Sequence, residues 1–320
     1  MLSPRAVAEA GLVWSGVTRL GLHLRRGQTL VLAYHNVVPD DAPPAGDRSL
    51  HLRRTGFARQ LDLLTDCCDV VPLATALGPS PAGGRPRVAI TFDDAYRGAL
   101  TLAASELAAR RLPATMFVPP GLLGADAFWW DVLAGTHGLA PEVRDRALGT
   151  HRGDGDAIVA SAIREGQVPR DRSIPATHRP GTEAELASWA STPGLTVGSH
   201  TWRHPNLTRI PAETLARELV DPLAWLGQRV PGSMLPWITY PYGLCSATVA
   251  SAARQAGYEG ALLVSGGWIS RRGADPFRVP RLNVPASLSL RGFRLRLAGL
   301  VGTAAASVQQ AATPDATQLR

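Results

Sequence analysis

The sequence predicts a mainly parallel α/β architecture, and two observations carry that prediction. Short apolar runs alternate with amphipathic segments of helical period along most of the 320 residues. The residues best suited to chemistry then fall directly after those runs, where parallel α/β folds gather their sites. Strands are predicted at Thr29–Tyr34, Arg87–Phe92, Ala114–Val118, Leu195–Ser199, Pro236–Tyr240, Ala261–Val264 and Phe277–Val284. Helices are predicted at Gly56–Asp66, Arg97–Arg111, Ala212–Gly227 and Cys245–Gly257, the last closing on a glycine that can take a left-handed cap. Alternation alone leaves a barrel and an open sheet equally allowed. Residues from about 124 to 190 break the rhythm with Gly, Pro, Arg and Asp, and read as an insertion over one face of a domain spanning 27–290. A basic N-terminal segment, 1–26, and a C-terminal tail, 291–320, flank it.

All 33 basic residues are arginine. With no lysine, Schiff-base chemistry, a Walker A phosphate loop and a kinase strand lysine are excluded. The net charge of +7 is uneven: +3 over residues 1–26, −2 over 27–270 and +6 over 271–296. An electroneutral body with basic ends does not suit a nucleic-acid reader, whereas basic, partly apolar ends fit peripheral contact with an anionic membrane. Around Phe293, Leu295, Leu297 and Leu300, the arginines Arg291, Arg294 and Arg296 suit a lipid interface; the same leucines equally suit a barrel cover. Cys67, Cys68 and Cys245 form neither a disulfide framework nor a CxxC pattern. No run approaches the roughly 20 apolar residues of a membrane span, and no secretory signal is visible, since Glu9 and Arg19 interrupt the N-terminus. The expected compartment is cytoplasmic or membrane-peripheral.

Four constellations follow strands. Asp93-Asp94 ends Ile90-Thr91-Phe92; two adjacent carboxylates are costly unless a cation or proton separates their roles. If one binds a metal, the other stays free as a base, although a lone pair of this kind is most simply a solvated turn. His200 and His204 are four apart, a spacing that two imidazole ligands on one side of a helical turn can use. Tyr240-Pro241-Tyr242-Gly243 can aim a backbone N–H at a developing oxyanion. Tyr34-His35 ends the first strand. Asp94, His200 and His204 together make a two-His, one-carboxylate set with positions left open.

With these motifs in order, the sequence resembles the polysaccharide deacetylases with a NodB-homology domain, carbohydrate esterase family four. Thr91–Asp94 is similar to that family's TFDD motif and His200–His204 to its H-[ST]-x-x-H motif. Thr239-Tyr240-Pro241-Tyr242 matches the third motif, R-x-P-[YF], only in part. The resemblance runs from about Leu30 to Val284 and implies a distorted (β/α) barrel that hydrolyses an acetyl group from a carbohydrate. It implies Asp93 as the general base, Asp94, His200 and His204 as ligands of a divalent metal, and the Tyr242 N–H at the oxyanion. Zinc is the default, with cobalt, nickel or iron also compatible with the ligand set.

The third-motif arginine falls on Thr239, so Arg281 is the candidate to supply that charge from a late strand; a surface arginine in a basic tail is the plain alternative. No histidine follows His204, which removes the usual late source of a general acid. The exopolysaccharide-associated subgroup carries an early Tyr-His motif and an FWWD element, similar to Tyr34-His35 and Phe128–Asp131 here. His35 is therefore the candidate acid for the leaving amine. Trp130, Asp131 and Tyr240 are candidates for substrate contact, Asp131 also for orienting His35; anchoring of the insertion is the alternative for at least one Trp. The expected reaction is N-deacetylation of an N-acetylhexosamine-containing polysaccharide or lipid-linked precursor. An O-acetyl esterase on an acetylated glycan and a catalytically silent glycan-binding module are the competing readings.

Overall fold

The computed structural model describes residues 9, 11–13, 16–78, 83–135, 138–168, 173–270 and 273–301. Ten strands appear: β1 Thr29–Tyr34, β2 Asn36–Val38, β3 His51–Arg53, β4 Asp69–Val70, β5 Arg87–Phe92, β6 Ala114–Val118, β7 Leu195–Ser199, β8 Met234–Thr239, β9 Gly260–Leu262 and β10 Leu282–Asn283. The main sheet runs β10-β1-β5-β6-β7-β8-β9, with β4 beside the start of β5, and every pairing within it is parallel. It curls with its helices into a distorted (β/α) barrel. β2 and β3 form a separate parallel pair.

The central strands β1, β5 and β6 are buried along their whole length. One face of them joins a large cluster with the apolar side chains of the helices Arg54–Cys67 and Ala104–Arg110, and Val31, Ala89 and Phe117 on the other face belong to a separate one. Gly198 in β7 allows its neighbours to close in, because a Cβ there would meet the Phe117 ring and the Trp237 carbonyl.

Between β9 and β10 the ladder is interrupted. An extended segment fills the gap: Ala261 N–H donates to Pro276 O, Val279 N–H to Ala261 O, and Leu263 N–H to Val279 O. The long strand expected over Phe277–Val284 is thus mostly an irregular closing segment, with Pro280 breaking its pairing. It carries Arg281 into the barrel, where that residue is wholly buried.

The segment 124–190 contains helices Trp129–Leu133, Pro141–Gly149, Gly155–Arg164 and Glu183–Ser191. Phe128, Trp129, Ile158, Leu186 and Trp189 bury into the same cluster as the strands. At the C-terminal side, helix Leu290–Leu297 corrects one expectation. Phe293, Leu295 and Leu297 are buried, and the helix packs on Arg54–Cys67 and Val17–Leu24. Those residues cover the barrel and cannot face lipid, and 290 is no structural boundary. Leu300 is exposed; residues 302–320 lie outside the described residues. Among the described residues no helix is long and apolar enough to cross a membrane.

Candidate active site

Parallel pairing puts the strand C-termini side by side, and the register lines up the residues that follow them. Tyr34 pairs Phe92, and Asp93 N–H donates to Tyr34 O, so His35 and Asp93 leave their strands at one level. Val118 pairs Ser199, and Ser199 pairs Ile238, which brings His200 beside Thr239. The backbone is bent sharply here. Asp94, Ala95, Thr201, His204 and Tyr242 all have positive φ without being glycine. Such conformations cost about 1–3 kcal/mol each and persist only where the surroundings enforce them.

Asp94, His200 and His204 are buried and offer ligand atoms that all lie within 4.8 Å of one another. Asp94 Oδ1 is 3.4 Å from His200 Nε2 and 3.5 Å from His204 Nε2, and the two Nε2 atoms are 3.0 Å apart. The histidines sit on an irregular loop rather than the expected helical turn, the positive φ of Thr201 and His204 folding one ring back on the other. His200 Nδ1 lies 2.8 Å from the Thr239 carbonyl, which can only accept. Nδ1 therefore carries the proton, and the Nε2 lone pair points into the cluster. Burial pushes His204 down to about 3, so this ring is neutral; at His200 burial is outweighed by the Asp93 and Asp94 carboxylates, which raise the ring, so its Nε2 is the position where a proton and a cation compete. Burial alone would raise Asp94, but contact with His200 and the charge of His204 hold it below the usual carboxylate range.

Asp94 Oδ1 and His204 Nδ1 are buried without a hydrogen-bond partner. A buried anionic oxygen left orphaned costs more than the roughly 1–3 kcal/mol of a neutral group. Three acceptors converging on one point are stabilised by a cation between them. The donor set, one carboxylate and two imidazoles, fits a divalent transition metal.

Asp93 has a different partner. Arg281 Nη1 and Nη2 donate to its two oxygens at 2.8 and 2.6 Å, a fully buried bidentate pair. Arg281 is fixed in turn by Nε donating to Leu263 O at 2.6 Å and Nη1 to Thr91 Oγ1 at 3.1 Å. Burial by itself would raise the Asp93 carboxyl; the guanidinium, with the charge of His200, overturns this and holds it well below the ordinary range. The arginine absent from position 239 is thus met across the barrel from position 281. His35 is half-buried, close enough for its charge to act on Asp93, Asp94 and His204.

In the turn Pro241–Gly243, Tyr242 holds φ 59°. Gly243 and Leu244 give their N–H groups to carbonyls of the turn, Tyr240 O and Pro241 O. The Tyr242 hydroxyl donates to His204 O at 3.2 Å and accepts from Trp129 Nε1 at 3.1 Å.

Three substrate-contact expectations are corrected. Trp130 is buried, stacked on Phe128 at 4.7 Å, with Nε1 donating to Tyr96 Oη at 2.6 Å; its ring packs against His204 at 5.0 Å. It anchors the insertion to the ligand. Asp131 is wholly buried, and its oxygens accept from Asp47 N, His51 Nε2 and Tyr96 Oη. It orients His51, not His35. The Tyr240 hydroxyl donates to Phe277 O inside the second apolar cluster.

Sequence reasoning missed two supports. Glu218, from helix Ala212–Arg229, accepts the N–H groups of Trp202 and Arg203 at 2.8 and 2.9 Å and so holds the histidine loop. A buried carboxylate on an amphipathic helix was the available signal. Thr239, where the motif departs, holds His200 through both its carbonyl and its hydroxyl; nothing in the sequence marked it for that.

A family model for polysaccharide deacetylase matches residues 81–261, more than half of the chain. No curated protein sequence matches it. Among solved structures, the Streptococcus pyogenes deacetylase PplD in complex with acetate is 16% identical, covering 85% of this chain and 99% of that one, with TM-score 0.58. IcaB from Ammonifex degensii is 18% identical over 86% of this chain and 97% of that one, TM-score 0.57. A de-N-acetylase from Aggregatibacter actinomycetemcomitans is 14% identical over 83% and 98%, TM-score 0.54. These likenesses share the fold.

Proposed function

From the premise that the chain belongs to the polysaccharide deacetylase family and is a carbohydrate deacetylase, we propose that it is a divalent-metal-dependent N-deacetylase. Its substrate is an N-acetylhexosamine-containing polysaccharide or a lipid-linked precursor of one. The observation that carries this reading is the orphaned Asp94 oxygen facing two buried imidazoles, next to a carboxylate that Arg281 keeps ionised. One neighbour of the same fold is itself a de-N-acetylase, which favours the amide over the ester.

Asp94, His200 and His204 would hold the ion. When bound, the ion supplies Lewis acidity toward the acetyl carbonyl and makes water more acidic. Asp93 takes the proton of the attacking water. Arg281 fixes the plane of that carboxylate, so one oxygen is presented without rotation. The Tyr242 N–H meets the charge that develops on the carbonyl oxygen. His35, half-buried beside the cluster, gives a proton to the departing amine.

The test is acetate release from N-acetylglucosamine oligomers against O-acetylated glycans, after loading with zinc, cobalt, nickel or iron. Release from the amide in preference to the ester is expected, and ester-only turnover would replace this reading with the esterase one. In the same assay His35→Ala should slow turnover by about 10²–10⁴, the range of a lost general acid. Near-normal turnover would remove His35 from the mechanism.

A further inference from the structure

A cavity of about 450 Å³ lies apart from the catalytic cluster: none of Asp93, Asp94, His200 or His204 lines it. Its volume falls within the roughly 300–1,000 Å³ of ordinary ligand sites. Its walls are of two kinds. Pro43, Pro44, Ala45 and Ala286 supply apolar surface, and Arg48 and Arg53 supply cationic groups beside the imidazoles of His51 and His178. No acidic side chain is in the lining.

Three carboxylates lie behind the lining, Asp40 close enough to feel the charge of Arg53 and Asp131 bonded to His51, and their hydrogen bonds fix them there. Asp40 accepts from Thr55 N–H and hydroxyl, Asp47 from Ser49 N–H and hydroxyl, and Asp131 from His51, Tyr96 and Asp47 N. Arg53 is fixed by donating Nη1 to two backbone carbonyls, Pro39 O at 2.8 Å and Ala42 O at 2.6 Å. Neither contact neutralises its charge. His178 is 2% exposed, and among the described residues its one hydrogen bond is at Nδ1, with Thr177 Oγ1 at 3.3 Å. That leaves Nε2 for a ligand. Burial and the charges of His51 and Arg53 push His178 down to about 4, a sign that the local potential is positive.

The cavity is also tied to the catalytic centre. The His51 ring packs 4.2 Å from His178, tilted by 58°, and is hydrogen-bonded at Nδ1 to Asn36, the residue after His35. At Nε2 it meets Asp131, which leads through Tyr96 Oη to Trp130 against His204.

We propose that this cavity is a second substrate site that binds an anionic group, a phosphate or a carboxylate, carried on a sugar whose apolar face rests on the prolines. The proposal builds on the deacetylase reading for the sugar, but its binding test does not depend on turnover. Two sources supply such a group: the phosphate of a lipid-linked sugar and the carboxylate of a uronic acid in the glycan.

The probes are N-acetylglucosamine 1-phosphate, glucuronate and neutral N-acetylglucosamine, titrated into the metal-loaded full chain. Binding is read by calorimetry and by the ring signals of His178. A charged probe should bind at least tenfold more tightly than the neutral sugar and move the His178 signals. Arg48→Glu, a change at an exposed position, should weaken that binding at least tenfold. His178→Gln, which keeps a side-chain donor, should weaken it several-fold and serves as a second variant where Arg53 substitution loosens the loop at 39–42. A response to the phosphate alone or the glucuronate alone identifies the source. Equal affinity for charged and neutral sugars, or anion binding that survives Arg48→Glu, overturns the site. Intact anion binding with no acetate released from any substrate overturns the deacetylase reading and leaves the site standing.

Discussion

Two buried polar clusters share one wall of this barrel, and they are built to opposite standards. Around Asp131 the valences are filled: both carboxylate oxygens accept, Tyr96 both donates and accepts, and His51 is bonded at both nitrogens; only at its edge does Asn36 Oδ1 stay without a partner among the described residues. Gly46, with φ 62°, is the cost of that packing, since a Cβ there would strike the Asp131 carboxylate. Around Asp94 the valences are open, with an orphaned oxygen and an orphaned ring nitrogen, and the backbone is bent into positive φ at Asp94 and His204. Trp130 links them directly, bonded on one side and packed on His204 on the other. A filled buried network is finished by folding and acts as scaffold. An open one at a strained backbone is completed by something outside the chain.

The largest effect should come from the open cluster. Asp94→Asn, or chelation of the ion, should drop acetate release to background, a loss above about 10³-fold, and re-addition of a divalent metal should restore only the chelated wild type. The melting temperature of Asp94→Asn without metal should match or exceed that of metal-free wild type, because an unpaired buried charge has been removed. A marked destabilisation would show that Asp94 is structural like Asp131, and the contrast would collapse.

The same mutation on the other side should behave in reverse. Asp131→Ala removes the acceptor of three buried donors at once, so a loss of about 3–5 kcal/mol in unfolding free energy is expected. Divalent-metal affinity, measured by calorimetry on the folded fraction, should change less than tenfold. A metal affinity that falls in step with stability would mean that the two clusters are one.

How much of this contrast could be read in the sequence follows from what sequence encodes. The central strands and the chemistry at their ends were legible because burial on both faces and strand termini leave local signatures. Asp93, Asp94, His200 and His204 were legible as motifs, and their convergence follows once parallel strands are assumed. Which buried carboxylate is open and which is filled was not. Asp131 sits beside tryptophans in a polar insertion, as a sugar-binding residue would. Only the 80-residue reach back to His51 shows it to be a strut. Arg281 lies 188 residues from Asp93, on a closing segment whose irregularity hides its register. Pairings at that range depend on tertiary geometry and leave no periodic trace. The lipid reading of Phe293, Leu295 and Leu297 failed for a related reason: an apolar stripe flanked by arginines looks alike whether it meets a membrane or a barrel.

The smallest effect concerns His178, which belongs to neither cluster but packs on the filled one through His51. Its folded-state value near 4 lies below the ordinary 6.5, so between these values the unfolded chain holds the proton and the folded chain does not. Stability from this group is therefore full above about pH 6.5 and is lost as pH falls toward 4. At pH 5 the loss is about 2 kcal/mol, from the proton-linkage relation. Urea unfolding at pH 7 and pH 5 should show a loss larger by about that amount in wild type than in His178→Gln, whose amide cannot titrate, since the further loss from His204 is common to both. Equal losses in both proteins would place the acid sensitivity elsewhere. If saturating phosphate or glucuronate at pH 5 shrinks the wild-type loss and leaves the variant unmoved, the anion is meeting the protonated ring. The filled cluster would then prove open at one point, its outer edge at His51 and His178.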